Sequence, residues 1–153
     1  MRIALFVLAL LPGCTEPPCA LDADVVPGCG AMVSGEPVRL GDTPDKVERA
    51  LGPTAAAAAL GDLGTRFAYP DQALSGLYGG AEDRAVRALY LHTGFPGGTA
   101  GGVGIGVDRA TVRAQLGEPV QGLFLDVWWY QEQGIAVEWR DDAVDRLTLF
   151  PTD

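Results

Sequence analysis

Histidine occurs once, at position 92, lysine once, at position 46, and cysteine not at all after residue 29. Each shortage removes a class of chemistry. A lone His92 near the end of an expected strand supplies no zinc ligand set, and Ser34 and Ser75 have no evident base beside them in the sequence. The body of the chain holds no thiol nucleophile. The glycine run 94–102, continuing through Gly104 and Gly106, lacks G-x-G-x-x-G spacing and a following Lys-Ser/Thr, so it reads as a linker and not as a phosphate cradle. The adjacent acids Glu82-Asp83 and Asp141-Asp142 fall in expected turns, facing solvent, and no convergent set of oxygens for a metal can be assembled. The reading is a protein that is not an enzyme, with no cofactor, no metal and no small-molecule substrate.

What is present points to an exported globular protein. Net charge is −9 at pH 7, which repels phosphate backbones and sets nucleic acid aside as a partner. With 48% hydrophobic and 20% charged residues, a chain of 153 can bury one core. Met1-Arg2 precedes an uncharged apolar run over residues 3–11, far short of the roughly twenty needed to cross a bilayer but suited to a signal peptide over 1–13. Leu11-Pro12-Gly13-Cys14 resembles the lipobox of bacterial lipoproteins, with Pro12 in place of the usual small or β-branched residue. The resemblance implies acylation of Cys14 and a membrane attachment through that lipid, most simply as an outer-membrane lipoprotein facing the periplasm. The other two cysteines, Cys19 and Cys29, are then left as a disulfide pair in an oxidising compartment. The segment 14–36, rich in Pro and Gly, reads as a lipid-anchored tether that such a bond would stiffen, with little effect on the fold.

The remainder reads as two tandem copies. Val38–Gly52 aligns with Val103–Gly117, and Ala85–Leu91 with Ala143–Leu149. The expected fold class is α+β: repeat 1 over 37–93, a Gly-rich hinge over 94–102 and repeat 2 over 103–153. Each repeat is a short helix or helix pair followed by a three-stranded antiparallel meander. Thr43 and Asp108 are placed as N-caps, Pro44 in the first turn, and Gly52 and Gly117 as stops. The alanine run 54–60 has the propensity for a second short helix. Strands are expected at 66–69, 74–78 and 85–92, and again at 127–130, 135–139 and 143–150.

Gly106-x5-Val112-x3-Leu116-Gly117-x-Pro119, a Trp/Tyr strand and two further strands resemble the SmpA/OmlA-type fold, and the duplication resembles β-lactamase inhibitory protein-like tandems. The match spans about Val38–Phe150; the first copy has Gly52-Pro53 where the pattern has Gly-x-Pro. The resemblance implies a helix-and-meander fold and a role in binding proteins, but no site residue carries over.

Strand parity sorts the aromatics. A four-residue turn at 131–134 puts Trp128, Tyr130 and Trp139 on one face with Leu147 and Leu149, the core. The opposite face takes Trp129, Arg140, Arg146 and Phe150, and in the first copy Leu77, Val86, Tyr90 and His92. Trp129, Phe150, Arg140, Arg146 and Tyr90 are therefore the candidate partner-binding residues, since Trp and Arg are favoured interface anchors. The functional expectation is a lipid-anchored envelope protein that binds or supports another envelope protein. The alternative is a secreted proteinaceous inhibitor of an extracellular hydrolase.

Overall fold

The computed structural model describes residues 19–80, 84–121 and 126–152. The first described elements are three short strands, β1 (Val25–Val26), β2 (Gly30–Val33) and β3 (Glu36–Arg39), which form an antiparallel sheet of their own. Helix α1 (Pro44–Leu51) follows, then β4 (Ala56–Ala59), β5 (Thr65–Tyr69), β6 (Leu74–Tyr78) and β7 (Val86–Leu91). Helix α2 (Arg109–Leu116) leads to β8 (Val120–Gln121), β9 (Val127–Tyr130), β10 (Ile135–Arg140) and β11 (Ala143–Leu149). The last eight strands make one antiparallel sheet in the order β4-β5-β6-β7-β11-β10-β9-β8.

This mostly-β architecture overturns the expected α+β class. Only two helices of eight residues occur among the described residues, and the strands do not divide into three-stranded meanders, each behind its own helix. Pairing of Leu89, Tyr90 and Leu91 with Leu149, Thr148 and Leu147 fuses all eight into a single sheet. The expected second helix at 54–60 is instead edge strand β4, paired with β5 from Ala56↔Ala68 to Ala59↔Thr65. Alanine favours helix, but a five-alanine stretch between Pro53 and Gly61 is too short to repay nucleation, and the β5 ladder is available beside it.

The second correction concerns the segment expected to be a tether. From Val25 onward it belongs to the core: Val25, Ala31, Val33 and Val38 are buried in the same cluster as Leu74, Leu89, Ile135 and Leu147. Its backbone is tied to distant loops, with Val25 N donating to Gly98 O at 3.0 Å and Gly28 N to Gly134 O at 3.2 Å. Cys19 and Cys29 are joined by a disulfide, their Cα atoms 5.7 Å apart, and Cys29 is buried. The glycine hinge is likewise held, by a Gly98↔Gly104 bridge and by Thr99, whose hydroxyl accepts from Val103 N at 3.1 Å.

Both helices are seated on the sheet by tyrosines. Tyr69 donates its hydroxyl to Gly52 O at 2.9 Å and Tyr130 to Gly117 O at 3.4 Å, so each helix end finds a donor for an otherwise orphaned carbonyl. Asp108 caps α2 by accepting from Thr111 N at 2.8 Å, whereas Thr43 occupies the N-cap of α1 without a side-chain bond. Val47 and Val112 are the buried anchors of the two helices. Gly76 marks a close approach in the core: a Cβ there would lie 2.3 Å from the Phe67 ring, which stacks on Tyr78 with centroids 4.2 Å apart.

Candidate functional site

Helices, small sheet and glycine loop all contribute to one core cluster with the inward face of the long sheet, leaving its opposite face as the open one. On that face the register forms a row, Trp129 beside Ala136, Ala136 beside Thr148, Thr148 beside Tyr90 and Tyr90 beside Ser75. Ala136 is sheltered among larger neighbours, but Trp129, Phe150, Thr148, Glu138, Arg146, Tyr90, Leu77 and Arg66 are half-buried or exposed. Since both halves lie in one sheet, their outer faces are continuous and do not stack on each other, and the segment 25–39 contributes to the core on the inner side.

The five partner-binding candidates fall into two groups on this face. Trp129, 38% exposed, and Phe150 hold their rings at 5.7 Å between centroids. Three strands away, roughly 14 Å at ordinary strand spacing, the Arg146 guanidinium lies 5.6 Å over the Tyr90 ring. Arg146 Nε also donates to Glu138 Oε1 at 3.0 Å. Arg140 is turned to Asp145, 3.1 Å away, whose other oxygen accepts from Thr93 at 3.1 Å. Val86, expected on the outer face, is fully buried in the core. The register shifts between Leu77 and Tyr78, so Tyr78 pairs with Val86 and Leu77 with Ala88, and the alternation reverses at that bulge.

Beside Tyr90 lies a depression of about 280 Å³ lined by Leu60, Arg66, Leu77, Tyr90 and Arg146. Arg66 has no ion-pair or hydrogen-bond partner among the described residues. It was absent from the sequence reading, although Phe67 and Tyr69 mark the inward parity of β5 and so place Arg66 outward. Sequence reasoning also missed the partner of Ser75, whose Oγ lies 2.7 Å from His92 Nε2. Burial and the nearby Arg146 and Arg66 guanidiniums hold the His92 pKa below its ordinary value, partly offset by Glu138 and Asp145. This is nucleophile-to-base distance, yet Ser75 is only 3% exposed and sits mid-sheet between β5 and β7, where ladder pairing engages the backbone donors that an oxyanion would need.

The inner tryptophans are enclosed differently. Arg109 lies 5.3 Å from the Trp128 ring centre and 4.7 Å from that of Trp139, while Arg113 covers Trp128 at 4.9 Å. Arg109 is in turn held by Asp126 and by Asp142, the latter at 3.3 Å. These contacts clamp α2 to the sheet and keep Trp128 and Trp139 out of the open face. Among the described residues no three His, Cys, Asp or Glu side chains converge as a metal site, and no helix is long and apolar enough to cross a membrane. The proposed acylation site, Cys14, lies outside the described residues.

No family model, curated protein or solved structure matches the chain.

Proposed function

We propose that this chain is a non-enzymatic cell-envelope protein, anchored by lipid at Cys14, that binds another envelope protein through the open face of its long sheet. The observation that carries the reading is the gathering of Trp129, Phe150, Tyr90 and Arg146 on that face, next to a depression holding Arg66, which has no ion-pair or hydrogen-bond partner among the described residues. Aromatic rings beside guanidiniums supply much area at low entropic cost and are the usual anchors of protein interfaces.

Charge selects the partner's chemistry. On this face Arg66, Arg140 and Arg146 outnumber Glu138 and Asp145, on a molecule whose net charge is −9. A partner segment presenting a carboxylate flanked by apolar side chains complements it, with the carboxylate against Arg66 and the apolar groups on Leu77, Trp129 and Phe150. Anchoring rests on Leu11-Pro12-Gly13-Cys14, and the envelope is also where a Cys19–Cys29 bond persists.

A photo-crosslinking residue at position 129 or 90, with position 48 on the far side as control, tests the face. The reading expects one envelope protein captured from 129 and 90 but not from 48, and its purified form to bind Trp129→Ala or Arg66→Glu at least tenfold more weakly. Equal affinity for both variants would remove this face from the interface. Intact mass of membrane-extracted protein tests the anchor: a species beginning at Cys14 with acyl chains is expected, and an acyl-free, soluble protein would overturn it.

A further inference from the structure

The two edges of the long sheet differ. β8 offers two residues beside Pro119, whereas β4 offers Ala56–Ala59, all exposed. Leu60 N donates to Gly64 O at 2.8 Å, so Leu60, and through the regular register of the strand Ala58 and Ala56, turn their backbone groups toward β5; the alternation breaks just before the strand, where Ala55 N also donates to Ala68 O at 3.2 Å. Ala57 and Ala59 therefore turn theirs outward, to the open edge. Proteins ordinarily guard such an edge with a charge, a proline or a bulge. From Ala56 to Ala59 β4 has none of these: its pairing with β5 is regular there, and no charged residue occurs from Gly52 to Gly61.

We propose that β4 pairs antiparallel with β4 of a second copy of this chain, about a two-fold axis through Ala58, so that two long sheets become one. In that register Ala57 faces Ala59 of the other copy and exchanges both main-chain hydrogen bonds with it, Ala58 faces its own counterpart, and Leu60 lies over Ala56. The missing charges are what point to a second copy as the occupant. In an antiparallel self-pair any charge near the axis would meet its own like charge, and residues 52–61 carry none. Alanine side chains bring no steric conflict at the axis, and Leu60, 44% exposed in the single chain, becomes covered. The two-residue β8 edge gives no equivalent ladder, so assembly closes at the dimer. A ladder this short buries much less than a standard interface, so the association is weak. The pairing does not depend on the partner-binding face, which points out of the sheet and not along its edge.

Sedimentation of the full chain from roughly 10 µM to 1 mM, the range in which weak association shows, reads the equilibrium directly. The weight-average mass should climb from 16.0 kDa toward the dimer. Ala58→Lys, which sets two lysines against each other at the axis, should weaken association at least tenfold without altering the melting temperature. Ala57→Pro removes an outward N–H and leaves the β5 ladder intact, so it should do the same. Amide exchange should slow with concentration at Ala57 and Ala59, but not at Ala58. A chain that stays monomeric throughout, a dimer unmoved by both variants, or concentration-dependent protection at Trp129 and Phe150 in place of β4 would each overturn the proposal.

Discussion

Removing the Cys19–Cys29 disulfide asks whether the small β1–β2–β3 sheet belongs to the folding unit. The two cysteines are separated by 10 positions. For a closed loop of that size, the chain-entropy relation gives about 3 kcal/mol of stabilisation at 25 °C. If the closed segment were only a tether, ordered or disordered without consequence for the core, cutting the bond would leave the melting temperature where it was. Here Cys29 is buried and accepts Leu40 N at 2.8 Å through its carbonyl, and β2 follows at once with Ala31 and Val33 in the core. The loss is therefore felt by the whole domain, and 3 kcal/mol corresponds to a fall of about 10 °C in Tm for a domain of this size. The variant is Cys19→Ser with Cys29→Ala, which leaves no stray thiol and no buried hydroxyl. Thermal melts and urea titrations followed by tryptophan emission read the stability. Hydrogen exchange reads its location, and Val25, Met32 and Leu40, whose amides bond to Gly98, Asp24 and Cys29, should exchange faster. A Tm within about 2 °C of the parent, with unchanged exchange at those amides, would refute the assignment of this sheet to the core.

Three further outcomes follow from the geometry. Gly76→Ala drives a methyl into the Phe67 ring, which Tyr78 holds from its other side, so urea unfolding should show a loss of about 1–3 kcal/mol; adding Phe67→Leu should recover part of that, and strict additivity would disprove the clash. His92 carries a folded-state pKa below its unfolded value, so the unfolded chain takes up the proton first as pH falls. Stability contributed by neutral His92 is thus complete above pH ~6.5 and declines on acidification toward its folded pKa, and His92→Gln should flatten that part of the pH–stability curve; an unchanged curve would show that another group titrates. Trp129→Ser, at a site open to solvent, should shift Tm by no more than about 3 °C, whereas Trp139→Ser, deep beneath Arg109, should unfold the protein at 37 °C; equal effects would invert the assignment of the two faces.

The second half of the long sheet was legible because strand parity is strict and a short turn fixes register. Tyr130↔Ile135 and Trp128↔Val137 follow from the four residues between β9 and β10, and with them the outward direction of Trp129. Helix ends were legible for a similar reason, since Pro44, Gly52 and Gly117 act locally. What failed was decided at a distance. Ala56–Ala59 is a strand because β5 lies beside it. Val86 faces inward because a bulge shifts the register opposite Leu77, and nothing in the residues themselves announces one. Residues 25–36 look like a linker by composition, and it is the burial of Val25, Ala31 and Val33, with backbone bonds to Gly98 and Gly134, that makes them core. Of the candidate site, the aromatic and arginine members on β7, β9, β10 and β11, and Phe150 just after β11, could be named in advance. The Ser75–His92 contact and the Arg66 depression required knowing that the two halves share one sheet.

The bond from Gly28 to Gly134 also fixes an order of events in time. Gly134 sits in the β9–β10 turn with φ of 71°, and its carbonyl accepts from Gly28 N at 3.2 Å and from Phe150 N at 3.0 Å. During synthesis β1 and β2 emerge early but their docking site is completed only when the last strands are made. The four strands after each helix can pair with sequence neighbours quickly, while the β7–β11 seam and the Gly28–Gly134 clasp wait for long loops to close. A sheet made before the long one is thereby among the last parts to settle, and until then its apolar strands stand exposed in the growing chain.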